Sequence, residues 1–492
     1  MAKSKDKRKA LQTTAPNKKP KIITPPPDSD GLEPKTLQSI ALHQDDVEIA
    51  VDTLSTLARN PAVIKSKACK DLRTAVYDFR KACTTGLDVS ADANLTARVS
   101  GALADGLYTE ARVLLAEMRI RNNVPKLGAL CRWVRDLDVV SGLAEQLDES
   151  APKRTGNEED LLVVLDAILR LTGPTDYTME SILLPGPVHP RKDWDLRETR
   201  VRRKIYDSVR DRSIFTALPK DLKSKFRILE TTPGPQRKPP NLHPAILYTS
   251  QNDAILLSSD SPPATHHTHP VVPNLHLLKD VLSPEECTQI IAAGESIGFE
   301  PDAPIRAEGE ESSILAHNFY WIVDESFIGK LWKRVERFVP PVVDGRKVRG
   351  INRRFRVYRY VPGAEYRLHI DGAWPPSGIK KSTNKTTGAV EESYVWDNSP
   401  ASGKQSSLFT FLIYLNDEFE AGETTFFLPS VREGCMNAYP VKPLQGSVAM
   451  FPHGETEGSL LHEGTGVRKT QEPSAKYVIR TDVLYDVEPT EA

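Results

Sequence analysis

Apolar residues recur at helical spacing from about residue 35 to 171 and give way after 275 to short alternating runs. Ile40, Leu42, Val47, Ile49, Val51, Leu54 and Leu57 keep roughly helical spacing, with Asp45 and Asp46 placed to open a helix. Within 96–136, Val99, Leu103 and Leu107, then Ala111, Leu114, Leu115 and Met118, form two amphipathic stripes broken at Gly106. Further helices are expected over 161–171 and 193–209. After 275, residues 354–360 alternate, Pro362 and Gly363 turn the chain, and 365–371 extend again. A near-continuous apolar run over 407–415 ends at Asn416-Asp417, and 424–427, 447–451 and 476–485 add short strands. Many short strands set off by Gly and Pro turns argue for a jelly roll. The pattern therefore predicts an α+β multidomain chain. Its parts are a tail (1–34), a helical domain (35–230), a Pro-rich linker (231–274) and a β domain (275–486, barrel core from about 350).

The chain has 492 residues, more than one ordinary domain. A net charge of −1 leaves no overall electrostatic footprint for nucleic acid. The charge is uneven: residues 1–21 carry eight Lys and Arg against the single acid Asp6. With Pro25-Pro26-Pro27 and little to bury, residues 1–31 read as disordered, and Lys18-Lys19-Pro20-Lys21 has the form of a nuclear import signal. No apolar run suits a signal peptide or a bilayer span, so a nuclear or cytoplasmic location without membrane attachment is expected. Five scattered cysteines point to a reducing compartment. The Pro-punctuated stretch 231–274 reads as a linker, with His266, His267 and His269 in a solvated loop. The stretch around Gly106, Glu110-Ala111, Leu115, Met118 and Pro125 resembles one pentatricopeptide-type hairpin. One such unit cannot form a repeat array, so a plain helical hairpin, open to a protein partner, is the better account.

His369 and Asp371 lie two apart on one predicted strand, so their side chains share a face. A third ligand from a distant strand would complete a two-His, one-carboxylate set with open positions, which suits iron(II) better than a closed zinc site. His462 and His453 both lie in the stretch that could supply it. Lys476 and Arg480, four apart on the last strand, face one side with Val478 and Asp482. The polar segment 372–406 follows the ligands directly, with Trp374 and Trp396 as candidates either to pack a substrate or to pin the loop.

Several of these features stand in a familiar order. Residues 278–287, Tyr360, Pro362-Gly363, Tyr366, His369-x-Asp371, Tyr414-Leu415-Asn416, Ala421-Gly422-Glu423-Thr424, Pro443, Gly446, Phe451, His462 and the strand from Lys476 follow one another. This region, about 275–486, resembles the prolyl 4-hydroxylase branch of the iron(II)/2-oxoglutarate dioxygenases. The resemblance implies a double-stranded β-helix and the metal ligands His369, Asp371 and His462. It also implies O2 and 2-oxoglutarate as co-reactants, ascorbate as a reductant, and a peptide or protein substrate hydroxylated at proline. Tyr360 and Thr410 fall where 2-oxoglutarate contacts lie, and Lys476 where a basic residue grips its distal carboxylate. A loop at 465–473, extra to the family pattern, leaves Arg480 open as the alternative grip. Action on nucleic acid or a small molecule, and a helical scaffold with a decayed barrel, are the other readings; nucleic acid has no support from charge.

Overall fold

The computed structural model describes residues 44–85, 95–143, 154–178, 186–197, 204–219, 221–238, 240–259, 263–305, 316–362, 364, 366–383, 390–454 and 458–489. The basic tail and its Lys18–Lys21 cluster lie outside them. The chain divides into two compact units, at 86/87. In the first, helices Gln44–Ala58 and Lys70–Thr85 form where the sequence spaces its apolar positions, yet none of residues 44–80 is buried. Val76, Tyr77 and Phe79 stand exposed.

The second unit is built on two sheets. In the larger, neighbouring strands run Arg354–Tyr360, Lys476–Asp486, Gln405–Tyr414 and Val448–Pro452; in the smaller, Tyr366–His369, Leu461–Gly464, Thr424–Pro429 and Met436–Val441. Their inner faces share one apolar core that includes Tyr358, Tyr414, Phe426, Tyr439, Phe451 and Val478. On the outer face of the larger sheet, Phe355, Val357, Phe411, Ile413 and Ile479 pack with Cys287, Ile290 and Ile291 of helix Pro284–Ile297 and Phe327 and Leu331 of Glu325–Val335. The first of these helices opens the stretch expected to lead the β domain, and it starts at a capping box of Ser283 and Glu286.

The helices at 95–169 do not form a domain of their own, as the sequence suggested they would. Helices Leu95–Ala104 and Tyr108–Ile120 make the expected hairpin about Gly106 (φ +68°), followed by Leu127–Leu137 and Gly156–Leu169. Their apolar stripes bury against Leu368, Ile370, Phe427, Met436, Ala438 and Leu461, the outer face of the smaller sheet. A sheet face this apolar needs cover, and these helices supply it.

Three further expectations are corrected. Residues 231–274 are not a linker: strand Phe226–Thr232 runs into this stretch, which also holds Ala245–Ser250 and Thr265–Thr268, all three in the larger sheet. His266 sits on the last of these, its Nε2 2.9 Å from His276 Nδ1 on the next strand, while His269 is buried. Its Pro residues interrupt and border the strands, which is where a missing N–H costs least. Of the helix expected over 193–209, the described residues form only Ile205–Arg210, and Trp194 pairs in bridge fashion with Val441. Segment 372–406 carries a hairpin, Gly378–Thr383 with Val390–Val395, which pairs Glu392 with Arg227.

Candidate metal centre

Strand geometry assembles the site. His369 and His462 are direct partners across two antiparallel strands, and an irregularity between Tyr366 and His369 re-aims the end of the first. Asp371 follows just past that strand. One ligand atom from each of the three residues fits within a 4.8 Å span. Asp371 Oδ1 is 3.5 Å from His369 Nε2, and Asp371 Oδ2 is 3.6 Å from His462 Nε2. Among the described residues no other such group occurs.

The tautomers follow from the outer contacts. His369 Nδ1 donates to Arg367 O at 2.8 Å and His462 Nδ1 to Leu460 O at 3.1 Å. Each Nε2 is therefore the ring nitrogen directed at the others. Burial, with His369 beside it, pushes His462 down to about 3, so that ring is neutral. Burial works against the charge on Asp371, but Arg480 and the imidazole contacts overcome it and hold the carboxyl well below its usual range. Two imidazole Nε2 atoms and a carboxylate converge. That donor set fits a divalent first-row cation.

The same cavity runs from this cluster to Lys476, past Tyr360, Tyr366, Thr424 and Phe451. Tyr360 and Lys476 are cross-strand partners, with the ammonium 5.4 Å from the ring centre. Lys476 is buried, donates to Gly422 O at 2.7 Å, and among the described residues forms no ion pair with a carboxylate. Burial brings it down to about 8. A buried ammonium without a counter-ion fits an anionic group placed at that end.

Arg480 lies at the other end. Its Nε is 3.4 Å from Asp371 Oδ2 and its Nη2 donates to Asp482 Oδ1 at 3.1 Å. The two basic residues thus divide: Arg480 attends the ligand carboxylate, and Lys476 faces open cavity. Thr410 also lines the cavity, but its hydroxyl lies 2.7 Å from Asp371 Oδ2. His453 stays outside the cluster, buried between Ser407 and Thr410, and burial pushes it down to about 3. Trp374 and Trp396 meet at a tilt of 51° with centroids 4.5 Å apart, and Arg354 lies 4.2 Å over Trp374. Sequence reasoning singled out neither Tyr366 nor Thr424 as a site residue, although both lie in the matched motifs. Tyr366 touches His369 with ring centres 4.4 Å apart, and Thr424 accepts from Tyr414 Oη at 2.8 Å.

No family model matches the sequence, and no curated protein matches it. Among solved structures, the chain is similar to the viral collagen prolyl hydroxylase of Paramecium bursaria Chlorella virus-1, in a 2OG complex. The identity is 18%, over 44% of this chain and 97% of that one, at TM-score 0.28. It is also similar to a Pseudomonas putida prolyl-4-hydroxylase, with 13% identity over 43% of this chain and 91% of that one, at TM-score 0.25. A 2OG-Fe(II) oxygenase family oxidoreductase of Burkholderia pseudomallei matches at 15% identity over 44% and 86%, at TM-score 0.26.

Proposed function

We propose that this chain is an iron(II)- and 2-oxoglutarate-dependent dioxygenase that hydroxylates a protein side chain, with peptidyl-proline as the first candidate. One observation carries the reading: a single cavity holds a His, Asp, His cluster at one end and, at the other, a buried lysine that forms no ion pair among the described residues. The alternation of its strands between two facing sheets is the order a double-stranded β-helix requires, which supports that architecture. His369, Asp371 and His462 would hold the iron on one face. Lys476, beside Tyr360, would neutralise the distal carboxylate of 2-oxoglutarate. Bound iron(II) with 2-oxoglutarate and O2 would supply the oxidising chemistry, giving succinate and carbon dioxide as one oxygen atom enters a C–H bond. The chain's own part is to bind, orient and keep water out, and Phe426 and Phe451 wall the His462 ring at 5.7 and 4.7 Å.

Anaerobic addition of iron(II) and 2-oxoglutarate should give the visible charge-transfer band of a chelated keto acid, absent in His462→Ala. A wild-type protein without the band, and without succinate formation in air, would sink the reading. The proline preference rests on the sequence motifs alone. Mass spectrometry of proline-containing peptides after turnover tests it, and a mass gain on another residue would replace it.

A further inference from the structure

A line of short contacts leads away from Asp371, beginning at Thr410 in the cavity wall. Thr410 Oγ1 lies 2.7 Å from Asp371 Oδ2 and 2.6 Å from His453 Nδ1. His453 Nε2 lies 2.7 Å from Ser407 Oγ, which accepts from the backbone N–H of Trp374 at 2.9 Å. Ser407, Thr410 and His453 are each at most 1% exposed, so water does not compete for these groups.

The charge at one end settles every proton along the line. An ionised carboxylate only accepts, so the Thr410 hydroxyl must donate to Asp371. Its single proton spent, Thr410 can only accept from His453, whose proton is then on Nδ1. His453 Nε2 is left bare, so the Ser407 hydroxyl donates to it. The Trp374 N–H, pointing into Ser407 Oγ, agrees with that direction. Reversing any one proton would set two acceptors against each other at hydrogen-bond distance, which is costly in a buried site.

We infer that Thr410 and His453 are positioning residues, and that the line Ser407–His453–Thr410 holds Asp371 as a one-oxygen ligand. This rests on reading the cluster as a metal centre. With Thr410 and Arg480 both at Oδ2, Oδ1 is the oxygen left for a cation. The line also ties the backbone at Trp374 to the ligand carboxylate. Outer contacts of this kind are worth about 10–100-fold in metal affinity.

Cobalt(II) is a suitable probe, since its visible spectrum reports ligand geometry without turnover. Thr410→Val keeps shape and removes the hydroxyl; it should weaken cobalt(II) binding roughly 10–100-fold and change the spectrum. Thr410→Ser should recover both to within about threefold, a rescue that a purely packing role would not give. Independently of any variant's folding, 15N NMR of histidine-labelled wild-type protein should show His453 as the Nδ1–H tautomer, assigned by its loss in His453→Gln. An Nε2–H tautomer, or wild-type cobalt(II) affinity and spectrum in Thr410→Val, overturns the inference while the metal centre stands. Failure of wild type to bind cobalt(II) at all would overturn the metal reading, and the inference with it.

Discussion

A lysine ammonium sealed in a protein interior is costly until an anion meets it, and Lys476 is held in that condition by Tyr360, Tyr414 and Gly422. Lys476→Met preserves length and removes the charge. A lost charge-assisted hydrogen bond costs on the order of 1.5–3 kcal/mol, so the Michaelis constant for 2-oxoglutarate should rise roughly 10–100-fold. Iron binding should be little changed. The pH dependence follows from the lowered pKa of about 8, due first to burial. Below that pH the free site is charged and meets the anion directly. Above it, binding must first return a proton, so affinity should fall by about tenfold per pH unit. The sign for stability is the reverse. The unfolded chain holds that proton more tightly, so the unliganded protein should gain stability as pH rises from about 8 towards 10.5. A flat 2-oxoglutarate affinity between pH 7 and 10 would remove Lys476 as the anchor. Among the histidines, alanine at 369 or 462 should abolish turnover. His453→Ala leaves three ligands and should keep turnover at saturating iron, with the defect visible only as the iron concentration is lowered.

At the scale of elements, the strand Leu461–Gly464 shows how four residues serve two layers. His462 faces the cavity, while Leu461 and Glu463 face the helices that cover the smaller sheet. Glu463 is buried and accepts from the backbone N–H of Ser141 at 3.3 Å as well as from its hydroxyl. Arg367 on the neighbouring strand pairs with Asp138 at 2.8 Å. Glu463→Ala should therefore lower stability by about 1–3 kcal/mol in urea titration, through the donors it leaves unmet. A second junction is Gly446, at φ +75°, whose O accepts from Val281 and Leu282; a Cβ there would meet Leu282 O at 2.1 Å. Gly446→Ala combines a strained backbone, about 1–3 kcal/mol, with that clash, and should sharply lower the melting temperature. An unchanged melting temperature would mean the loop has an alternative path. The strand at 354–360 was legible because its residues alternate, and that at 476–486 because it is long and rich in β-branched and aromatic residues such as Tyr477, Val478, Ile479, Val483 and Tyr485. Leu461–Gly464 was not, since Leu-His-Glu-Gly carries no β signal until its partners at Thr424 and His369 are known.

For the whole molecule, the covering helices change where the fold around the site begins. A fragment starting at 275 would expose Leu368, Phe427, Met436 and Leu461, and it would lose the strands at 226–232, 245–250 and 265–268. It should be insoluble or molten, whereas a fragment from 87 should match the full chain in thermal unfolding and in iron-dependent turnover. Equal stability of the 275 fragment would restore the separate helical domain that the sequence suggests. Residues 44–80 include no buried side chain, so they should contribute little to that unfolding transition.

The sequence by itself placed the side chains that gather at the site: His369 and Asp371 lie two apart, and the last strand repeats its inward positions at Lys476 and Arg480, because side chains alternate along an extended chain. The strand ends at His369, so it is the path of the chain just beyond it that brings Asp371 to the same site. Spacing alone left His462 and His453 both open as the third ligand, nine positions apart on one stretch, and only the resemblance named His462. Strand pairing sets one opposite His369 and buries the other against Ser407 and Thr410. It likewise separated Lys476 from Arg480, by placing Asp371 and Asp482 beside the second alone. Long-range pairing also turned a Pro-rich stretch into strands and a helical stretch into the cover of a sheet. Burial is a property of what packs against a segment, and the segment's own residues do not carry that information.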